Sequence, residues 1–568
     1  MRKLYVTLAL SGFSLISFSQ SITWSSEEVK PKEKNLFTNL AFPGADANNY
    51  YVNESEAGGV TFRNRKFKDY ITVVDKNTLK VKTQVDLNAA FKDNDGDYLN
   101  AENFFFKDRK YYFFINRDNK EKNVYDVYCS IQQLEGDSPG ELKVIQKVDR
   151  KKDKPFKDNY DPFADKEKEE GAAFSAAMYV NIKPAYDGNS IISAMVTETV
   201  DDNYSTLNLS EWDKDMKSIH SNNYKIPFLR RTIGTRSSMS NMGRLGEKPR
   251  VRDFAKDNNG FIYVLVYSAD PKSPELRSQY YICQFKLSDP AYMKIYKNEI
   301  NKNIASAGIG LHQDESGKLF FSNLGVEIED EKDEKNYMWV NSAIIGSFNS
   351  QGEFVSIYTN RLSEEMMYHF EKEKKVNKEG KLETLNIVNI LSGSDGGCYV
   401  IWQYHWTETA NSGHAADTHY ENALVQCYDN NNKMKWEKVI YKNQQSKTSV
   451  PGYYCGLSSF MLDGALYVVW PDDPSNEKRT VDDNDPAKYS VVKFGNKDLA
   501  GIFVAKFSNK GDYTRKYMHW PEERMGYAFC NFSLKRTEKK EFIGTARIIH
   551  QGVALLKSEE YSFFKLSF

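Results

Sequence analysis

The sequence has 568 residues, more than one ordinary compact core holds, so the chain either splits into domains or repeats a structural unit. Hydrophobic residues make up 40% and charged residues 27%, which is typical of a folded globular protein and excludes a disordered chain. The 77 Lys and Arg residues nearly balance the 78 Asp and Glu residues, so the net charge of −1 provides no general attraction for nucleic acid or for an anionic membrane.

The first predicted element is a secretory signal peptide over residues 1–19. Positive charge at Arg2 and Lys3 precedes an apolar stretch, 4–18, that is too short to span a bilayer comfortably and that leads into a small-x-small cleavage pattern. Cleavage there starts the mature chain at Gln20. The alternative is an N-terminal membrane anchor, which the short apolar stretch disfavours. We therefore predict an exported protein (periplasmic, cell-surface or extracellular) that is not membrane-spanning.

Beyond residue 20, the chain has the composition of an all-β protein. Aromatic residues make up 14% of the sequence, with 36 Tyr and 34 Phe, and these side chains favour strands. An apolar strand that follows a Gly-containing turn recurs along the chain, at 111–116, 191–196, 261–267, 319–323, 398–403, 466–470 and 542–548. After a variable loop, a second apolar strand recurs at 70–75, 124–131, 206–212, 280–287, 343–349, 423–429, 502–508 and 553–556. Turns rich in Asn and Gly follow several of these second strands, as tight hairpins require.

A further strand precedes each first strand through another tight turn, so each repeat contains four antiparallel strands, named a to d. Many of these strands are apolar on both faces. Such strands need sheet packed on both sides, as in blades that stack around an axis. The predicted fold is therefore a single β-propeller of seven to eight four-stranded antiparallel blades, over residues 20–568.

Two segments resemble known propellers. The run 253–264, with the sequence DFAKDNNGFIYV, resembles the inner hairpin of NHL-type and related bacterial β-propellers. The block 398–444 resembles exported bacterial propeller-like proteins of unassigned role. The resemblance implies the propeller fold and implies no activity, because these motifs are structural.

The predicted long connections share one face of the propeller. In a four-stranded blade, the a–b and c–d turns lie on one face, and the b–c and d–a connections lie on the other. The long segments fall almost entirely in the second group, at 150–171, 229–250, 325–341, 360–383, 405–421, 442–452 and 471–499. Because loops on a rigid scaffold commonly carry binding and catalytic residues, we expect the functional site on that long-loop face.

The loop after the strand 398–403 has the strongest candidate binding residues: Tyr404, His405, Trp406, His414 and His419. Their rings suit stacking on a sugar or a peptide. Histidine and carboxylate side chains also bind transition metals, but these histidines match no helical ligand spacing, so we predict no metal site. A packed loop without function is the third interpretation.

A second candidate is the acidic loop that contains Asp472, Asp473 and Asp482. Paired carboxylates serve as acid and base in hydrolases, and an oxygen-rich loop also suits Ca²⁺. The sequence lacks EF-hand spacing, and a solvated acidic loop is the simpler interpretation. Apart from this weak Ca²⁺ candidate, we predict no cofactor.

An arginine-rich stretch on the same predicted face contains Arg231 and Arg236. A guanidinium group binds carboxylate, sulfate or phosphate through two parallel hydrogen bonds. The stretch would suit an acidic ligand, and the alternative is a mobile basic loop.

The six cysteines form no C-x-x-C pair, which argues against a zinc ribbon or a thioredoxin-type site. Antiparallel pairing of their strands places Cys398 opposite Cys427. A disulfide there is allowed in an exported protein but geometrically demanding, and two buried free thiols are favoured.

These observations favour a non-catalytic binding or scaffold propeller that recognises a protein, peptide or glycan through its long-loop face. The alternative is a carbohydrate-active propeller enzyme, a hydrolase or lyase, that uses loop carboxylates as acid and base. Common enzyme signatures such as G-x-S-x-G, the Walker A motif and H-E-x-x-H are missing from the sequence. The oligomeric state and the ligand do not follow from the sequence.

Overall fold

The structure, a computed structural model, describes residues 20–30, 36–58, 66–86, 98–107, 110–119, 124–133, 142–149, 153–155, 181–185, 189–199, 204–229, 250–268, 279–297, 304–313, 318–327, 342–349, 351–362, 366, 385–407, 418–446, 455–479, 492–493, 501–529, 534–538, 540–548 and 561–568. The predicted signal peptide, 1–19, lies outside the described residues. In the described part, eight sheets follow one another along the chain. Each is one blade.

The first four blades have regular four-stranded order, with a second inner segment in blade 3. Blade 1 contains β2 (Leu36–Ala45), β3 (Asn49–Gly58), β4 (Lys66–Asp75) and β5 (Val81–Asp86). Blade 2 contains β6 (Tyr98–Lys107), β7 (Lys110–Asn119), β8 (Val124–Gln133) and β9 (Leu142–Asp149). Blade 3 contains β10 (Asp153–Pro155), β11 (Asn181–Pro184), β12 (Ile191–Thr199), β13 (Tyr204–Trp212) and β14 (Ser218–Leu229). Blade 4 contains β15 (Arg250–Lys256), β16 (Phe261–Ser268), β17 (Gln279–Lys286) and β18 (Asp289–Lys297).

The last four blades repeat this order with additions in blades 6 and 8. Blade 5 contains β19 (Ile304–Gln313), β20 (Leu319–Glu327), β21 (Ser342–Phe348) and β22 (Phe354–Arg361). Blade 6 contains β23 (Leu385–Ser392), β24 (Cys398–Thr407), β25 (Thr418–Tyr428) and β26 (Met434–Ile440), extended by β27 (Gln444–Ser446) and β30 (Val492–Lys493). Blade 7 contains β28 (Ser458–Leu462), β29 (Ala465–Pro471), β31 (Gly501–Phe507) and β32 (Tyr513–His519). Blade 8 contains β33 (Tyr527–Phe529), β34 (Lys535–Glu538), β35 (Glu541–Ile548), β36 (Tyr561–Ser567) and β1 (Ser21–Trp24).

The N-terminal strand closes the ring. Strand β1 pairs antiparallel with β36, from Ser21 opposite Ser567 to Trp24 opposite Phe564, so the first described strand becomes the outer strand of the last blade. A short 3₁₀ helix, Glu522–Arg524, stands just before blade 8. The closure joins the two ends of the described chain by backbone hydrogen bonds.

Apolar side chains pack the blades against one another in a closed series. Within the described residues, seven buried clusters each join two successive blades, from blades 2 and 3 around to blades 8 and 1. Strand β2 lies beside β6 and supplies the contact between blades 1 and 2. Trp402 and Trp470 are fully buried in two of these clusters, and burial of one such side chain contributes roughly 1.5–3 kcal/mol. The predicted β-propeller is confirmed, with eight blades.

The strand ends that border the long connections lie at one face, as predicted, with one exception. The predicted loop 150–171 contains β10, and the connection 156–180 runs between β10 and β11, which both pair with β12 in blade 3. The a–b and c–d connections are short, and 134–141 is the longest of them. The long b–c and d–a connections are 87–97, 230–249, 269–278, 328–341, 362–384, 472–500 and 549–560. We call the two ends of the propeller the long-loop face and the short-turn face. The strand limits also shorten the predicted loop 405–421, because β24 and β25 continue into it.

Two strand predictions need correction. The c strand of blade 8 is Tyr561–Ser567, and the predicted 553–556 lies outside the described residues. The segment 561–567 is the c strand because it pairs on both sides, with β35 and with β1. Strand β3 was missed because its sequence is polar at Glu54, yet this side chain is fully buried.

The predicted opposition of the two cysteines is wrong by one residue. Cys398 stands opposite Tyr428, whereas Cys427 stands opposite Tyr399. A shift of one residue sends a strand side chain to the other face of the sheet, so the two sulfur atoms lie in different inter-blade clusters. Both cysteines are buried free thiols, and burial raises the pKa of the Cys427 thiol to about 11.

Candidate functional site

Blade 6 has two additional short strands, β27 and β30, at the long-loop face. Residues 405–407 of β24 pair with 418–420 of β25, past a register shift that follows Gln403. Strand β27 pairs antiparallel with the same part of β25, and β30, from the long connection of blade 7, pairs parallel with β27. We call these four segments the platform. The platform joins the b–c connections of blades 6 and 7.

Strand register gives the platform two rows of residues. Trp406 stands opposite His419, His419 opposite Gln445, and Gln445 opposite Lys493. Residues that stand opposite one another across neighbouring strands form one row of register positions. The second row contains Gln444, which is fully buried, so it belongs to the inward face. His419 and Gln445 are half-buried.

The Gln444 side chain anchors the platform to blade 7. Its Oε1 accepts hydrogen bonds from the backbone N of Gly456 at 2.7 Å and from Nζ of Lys442 at 2.9 Å. Its Nε2 donates to the carbonyl oxygens of Gly456 at 3.3 Å and of Pro471 at 2.7 Å. Two acceptor positions and two donors are all that a side-chain amide has, so this buried group is completely satisfied.

Lys442 is a buried lysine beneath the platform. Its side chain is 1% exposed, and Nζ donates to the carbonyl oxygen of Tyr420 at 3.2 Å as well as to Gln444. Burial lowers the pKa of Lys442 to about 7, against the opposing effects of Cys455 and Asp472. At neutral pH, a large fraction of this amine is therefore uncharged.

Asp472 is a second fully buried ionisable residue, close to Lys442. Its Oδ1 accepts from the backbone N of Asp473 and from Nδ2 of Asn476, both at 2.8 Å, and its Oδ2 accepts from Nε1 of Trp470 at 3.1 Å. Burial raises the pKa of Asp472 to about 7, although these hydrogen bonds and Lys442 lower it. The carboxyl group holds the start of the 3₁₀ helix Pro474–Lys478.

Asp473 caps the same 3₁₀ helix. Its Oδ1 accepts a hydrogen bond from the backbone N of Ser475 at 2.8 Å, which satisfies a free N–H of the first turn. The adjacent carboxyl groups of Asp472 and Asp473 thus both bind the backbone of their own loop. Among the described residues, no group of three or more His, Cys, Asp and Glu side chains could hold a metal ion.

The other predicted site residues divide into three groups. Tyr404 is 5% exposed and packs in the cluster between blades 5 and 6. The register brings His405 and Trp406 together with His419 in the platform. Outside the described residues lie Asp482, His414, Arg231 and Arg236. The role of every one of these residues stays a prediction.

Sequence reasoning missed the buried polar residues Lys442 and Gln444 and the row positions Gln445 and Lys493. One signal was present, because a lysine directly after the apolar run 439–441 is unusual at the end of a core strand. The pairing of β27 with β30 has no sequence signal, because the two strands are short and belong to different blades.

In the described residues, the structure has no helix of sufficient length and apolarity to span a membrane.

The fold defines the chain as an eight-bladed β-propeller with a closing N-terminal strand. Neither a protein-family model nor a curated protein matches the sequence. Among solved structures, it is similar to a polysaccharide lyase of family PL25, an ulvan lyase, with 10% identity and a TM-score of 0.37 over 87% of this chain and 96% of that chain. It is also similar to the propeller domain of the Trilobed protease from Pyrococcus furiosus, with 8% identity and a TM-score of 0.34 over 85% and 95% of the two chains.

A third similar structure is an endo-arabinase from Bacteroides thetaiotaomicron, with 12% identity and a TM-score of 0.24 over 60% of this chain and 98% of that chain. Identities and TM-scores this low carry no argument about function. The propeller assignment rests on the strand pairing and on the inter-blade clusters described above. Membership of the NHL-type group stays a prediction from the sequence.

Proposed function

We propose that this chain is an exported binding propeller that recognises a glycan through the outer row of the platform. The observation that carries the proposal is the register that aligns Trp406, His419, Gln445 and Lys493 across four strands. An indole offers a flat apolar surface to a sugar ring, and the imidazole, amide and amine groups supply hydrogen bonds to hydroxyl groups. The protein or peptide ligand of the sequence prediction remains the competing outcome.

The buried cluster supports this proposal because it makes the base of the platform rigid. Gln444 and Lys442 connect β27 to blade 7, and Asp472 fixes the loop that leads toward β30. A surface that is ordered before the ligand arrives loses less conformational entropy on binding, so more of the contact energy appears as affinity.

A glycan and peptide array tests the proposal. The mature protein should bind one glycan class, and the replacements Trp406→Ala and His419→Ala should each weaken that binding about tenfold or more, as expected for central contact residues. Lys433→Ala is the matched control, because Lys433 is exposed on the c–d turn of the same blade at the short-turn face. Glycan binding that both platform variants retain, or selective binding of peptides alone, would contradict the proposal.

A second candidate function is a carbohydrate-active enzyme, and one observation favours it. Burial raises the pKa of Asp472 to about 7, in the range of a general acid or base at neutral pH, although the side chain is fully buried and its hydrogen bonds go to Trp470, Asp473 and Asn476. Incubation with a polysaccharide panel tests this candidate through the release of reducing ends or unsaturated products. Product formation that Asp472→Asn abolishes supports the enzyme, and the absence of products from every polysaccharide removes it.

Export is the remaining part of the proposal, and its support is the charged and apolar pattern of residues 1–19. Expression of the full sequence in a Gram-negative host should yield a processed protein that begins at Gln20. Amino-terminal sequencing of the periplasmic and cytoplasmic fractions measures this directly. An unprocessed chain that stays in the cytoplasm would refute export.

A further inference from the structure

A cavity of about 170 Å³ lies at the ring closure, on the outer wall of the propeller. One side is the segment that continues from β1, where Val29 pairs with Tyr561 beyond the β1–β36 ladder. The other side is β5, the outer strand of blade 1, with the c–d turn that precedes it. Among the side chains that line the cavity are Glu27, Glu28, Val29, Leu79, Val81 and Gln84. A molecule in this cavity therefore contacts both sides of the closure.

Apolar side chains form the floor of the cavity. Val29 and Leu79 are buried and belong, with the partly buried Val81, to the cluster that joins blades 8 and 1. A cavity of about 150 Å³ holds one benzene ring. The closure cavity is larger, and it opens to solvent where Glu27 and Glu28 are exposed. Its size and floor thus accommodate one six-membered ring whose C–H groups pack on the three apolar side chains.

The Gln84 side chain gives the cavity an acceptor of fixed orientation. Its Nε2 donates to Oε2 of Glu54 at 3.0 Å and to Oγ1 of Thr72 at 3.1 Å. These bonds use both N–H donors of the amide, so its carbonyl end points away from Glu54 and Thr72. In the part of the chain that the structure describes, Oε1 of Gln84 accepts no hydrogen bond. A ligand that donates a hydrogen bond can use this acceptor without any rearrangement of the amide.

The two carboxylates at the cavity already have cationic partners. Oε1 of Glu27 stands 2.8 Å from Nζ of Lys80, and Oε1 of Glu28 accepts from Nη1 of Arg524 at 2.9 Å. Oε2 of Glu27 accepts no hydrogen bond from any described residue and is a second acceptor for a ligand. Because both negative charges are balanced locally and Lys30 adds a positive charge to the lining, the cavity favours an uncharged ligand over an ion.

We propose that the closure cavity binds one neutral sugar ring, a pyranose with free hydroxyl groups. The hydroxyl groups donate to Oε1 of Gln84 and to the carboxylate of Glu27, and the C–H face of the ring packs on the apolar floor. Acceptors of this kind select a ligand that is rich in donors, and hydroxyl groups supply them without charge. The ring is either a free hexose or the terminal unit of a glycan. The proposal does not depend on the platform, which lies at the long-loop face of blade 6.

Saturation-transfer NMR on the full chain tests the site, with D-glucose, D-galactose and D-mannose as probes. At least one hexose should bind saturably, and it should bind several-fold more tightly than glucuronate or putrescine, whose charges the balanced cavity does not favour. An oligosaccharide that ends in the same hexose shows whether the terminal unit of a glycan also enters. Equal or tighter binding of the charged probes, or the absence of saturable binding for every hexose, would overturn the proposal.

Substitutions separate the cavity from the platform. Val81→Phe fills the cavity from its floor and should weaken hexose binding about tenfold or more, because two rings cannot share the space. Glu27→Ala should weaken it about tenfold, as expected for a lost hydrogen bond to a charged group. Thr83→Phe is the matched control, since Thr83 is an exposed residue of the same strand that does not line the cavity. Binding that Trp406→Ala removes and that Val81→Phe retains in a folded protein would place the sugar at the platform and refute the cavity site.

Hexose binding should also stabilise the ring closure. Backbone hydrogen bonds hold the segment at Ser25 to Phe563 and at Val29 to Tyr561, and a ligand that contacts both sides of the closure favours the paired state by linkage. A Glu-specific protease that cuts at 27–28 needs this segment to leave its pairing. Saturating hexose should therefore slow that cleavage several-fold in the unmodified protein. Hexose binding with an unchanged cleavage rate would show that the sugar lies elsewhere.

Discussion

Nζ of Lys442 donates a hydrogen bond to Oε1 of Gln444 at 2.9 Å, and the two side chains lie out of contact with solvent beneath the platform. The same amide binds blade 7 through Gly456 and Pro471. These two side chains thus connect blade 6 to blade 7 beneath the proposed binding surface. The polar contacts are internal, so their loss should appear first in stability.

Replacement of Gln444 tests the anchor. Gln444→Leu removes all four hydrogen bonds of the amide and leaves buried polar groups of Gly456, Pro471 and Lys442 without this partner. We expect a loss of about 2–4 kcal/mol in the free energy of unfolding, measured by urea denaturation. Gln445→Leu, one residue further along and only half-buried, should cost clearly less. Equal losses in the two variants would contradict the anchoring role.

The lowered pKa of Lys442 predicts a stability change above neutral pH. Its pKa in the folded state is about 7 against an ordinary value of 10.5, so between these values the unfolded chain binds more protons. The contribution of Lys442 to stability therefore rises as pH increases from 7 toward 10.5. The charged or titratable groups that face it are Cys455, Asp472 and Glu421. Lys442→Met should lower the slope of unfolding free energy against pH in that window, and an unchanged slope would refute the prediction.

The raised pKa of Asp472 predicts the opposite sign on the acid side. Its pKa in the folded state is about 7 against an ordinary value of 3.8, so between these values the folded chain binds more protons. The contribution of Asp472 to stability therefore falls as pH increases from 3.8 to 7. Lys442 lies close to it, and Asp472 in turn acts on Tyr517 together with Asp473 and Glu477.

Asp472→Asn should remove this decline in the free energy of unfolding between pH 3.8 and 7. The variant should also lose about 1–2 kcal/mol of stability at every pH, because the amide nitrogen cannot accept one of the three hydrogen bonds. Urea titrations at several pH values between 4 and 7 measure the difference from the unmodified protein. Lys478→Gln, an exposed change in the same 3₁₀ helix, serves as the control. A difference that stays constant across the window would show that Asp472 does not titrate there.

Arg524 should stabilise the ring closure. The guanidinium group donates to the carbonyl oxygen of Ser25 at 2.8 Å and to Oε1 of Glu28 at 2.9 Å, and it stands 5.7 Å from the ring of Trp24. Arg524→Ala leaves the carbonyl oxygen of the buried Ser25 without this donor, whereas the exposed Glu28 keeps the hydroxyl of Tyr527, so we expect a loss of roughly 1–3 kcal/mol. Limited proteolysis should then cut the N-terminal segment faster. Glu523→Ala, an exposed change in the same turn, should leave both measurements unchanged.

The middle strands were predictable because their sequences contain two kinds of local information. Runs such as those of β16 and β29 are apolar at successive positions, which indicates packing on both faces, and Gly- and Asn-containing turns mark their ends. Strand β3 was not predicted, because a glutamate such as Glu54 is usually a surface residue. Its carboxylate accepts a hydrogen bond from Nε2 of Gln84 at 3.0 Å, a partner that only the folded blade supplies.

The candidate site was predictable only in part. The aromatic and imidazole residues after β24 stood out by composition, and the register does bring Trp406 and His419 together. The buried residues Lys442 and Gln444 looked like solvated loop, because a sequence shows charge and polarity but not burial. Lys183 and Asp253, which form an ion pair between blades 3 and 4, are 70 residues apart along the chain, and nothing local connects them.

The sequence by itself determined most of the middle strands, their order and the strand ends between which most long connections run, because hydrophobic pattern and turn residues act over a few positions. Only the tertiary structure decided the number of blades, the one-residue register that separates the two cysteines, and the burial that shifts the proton affinities of Lys442 and Asp472. Those properties depend on contacts between residues of different strands and blades, whose desolvation and hydrogen bonds exist only after the ring has closed.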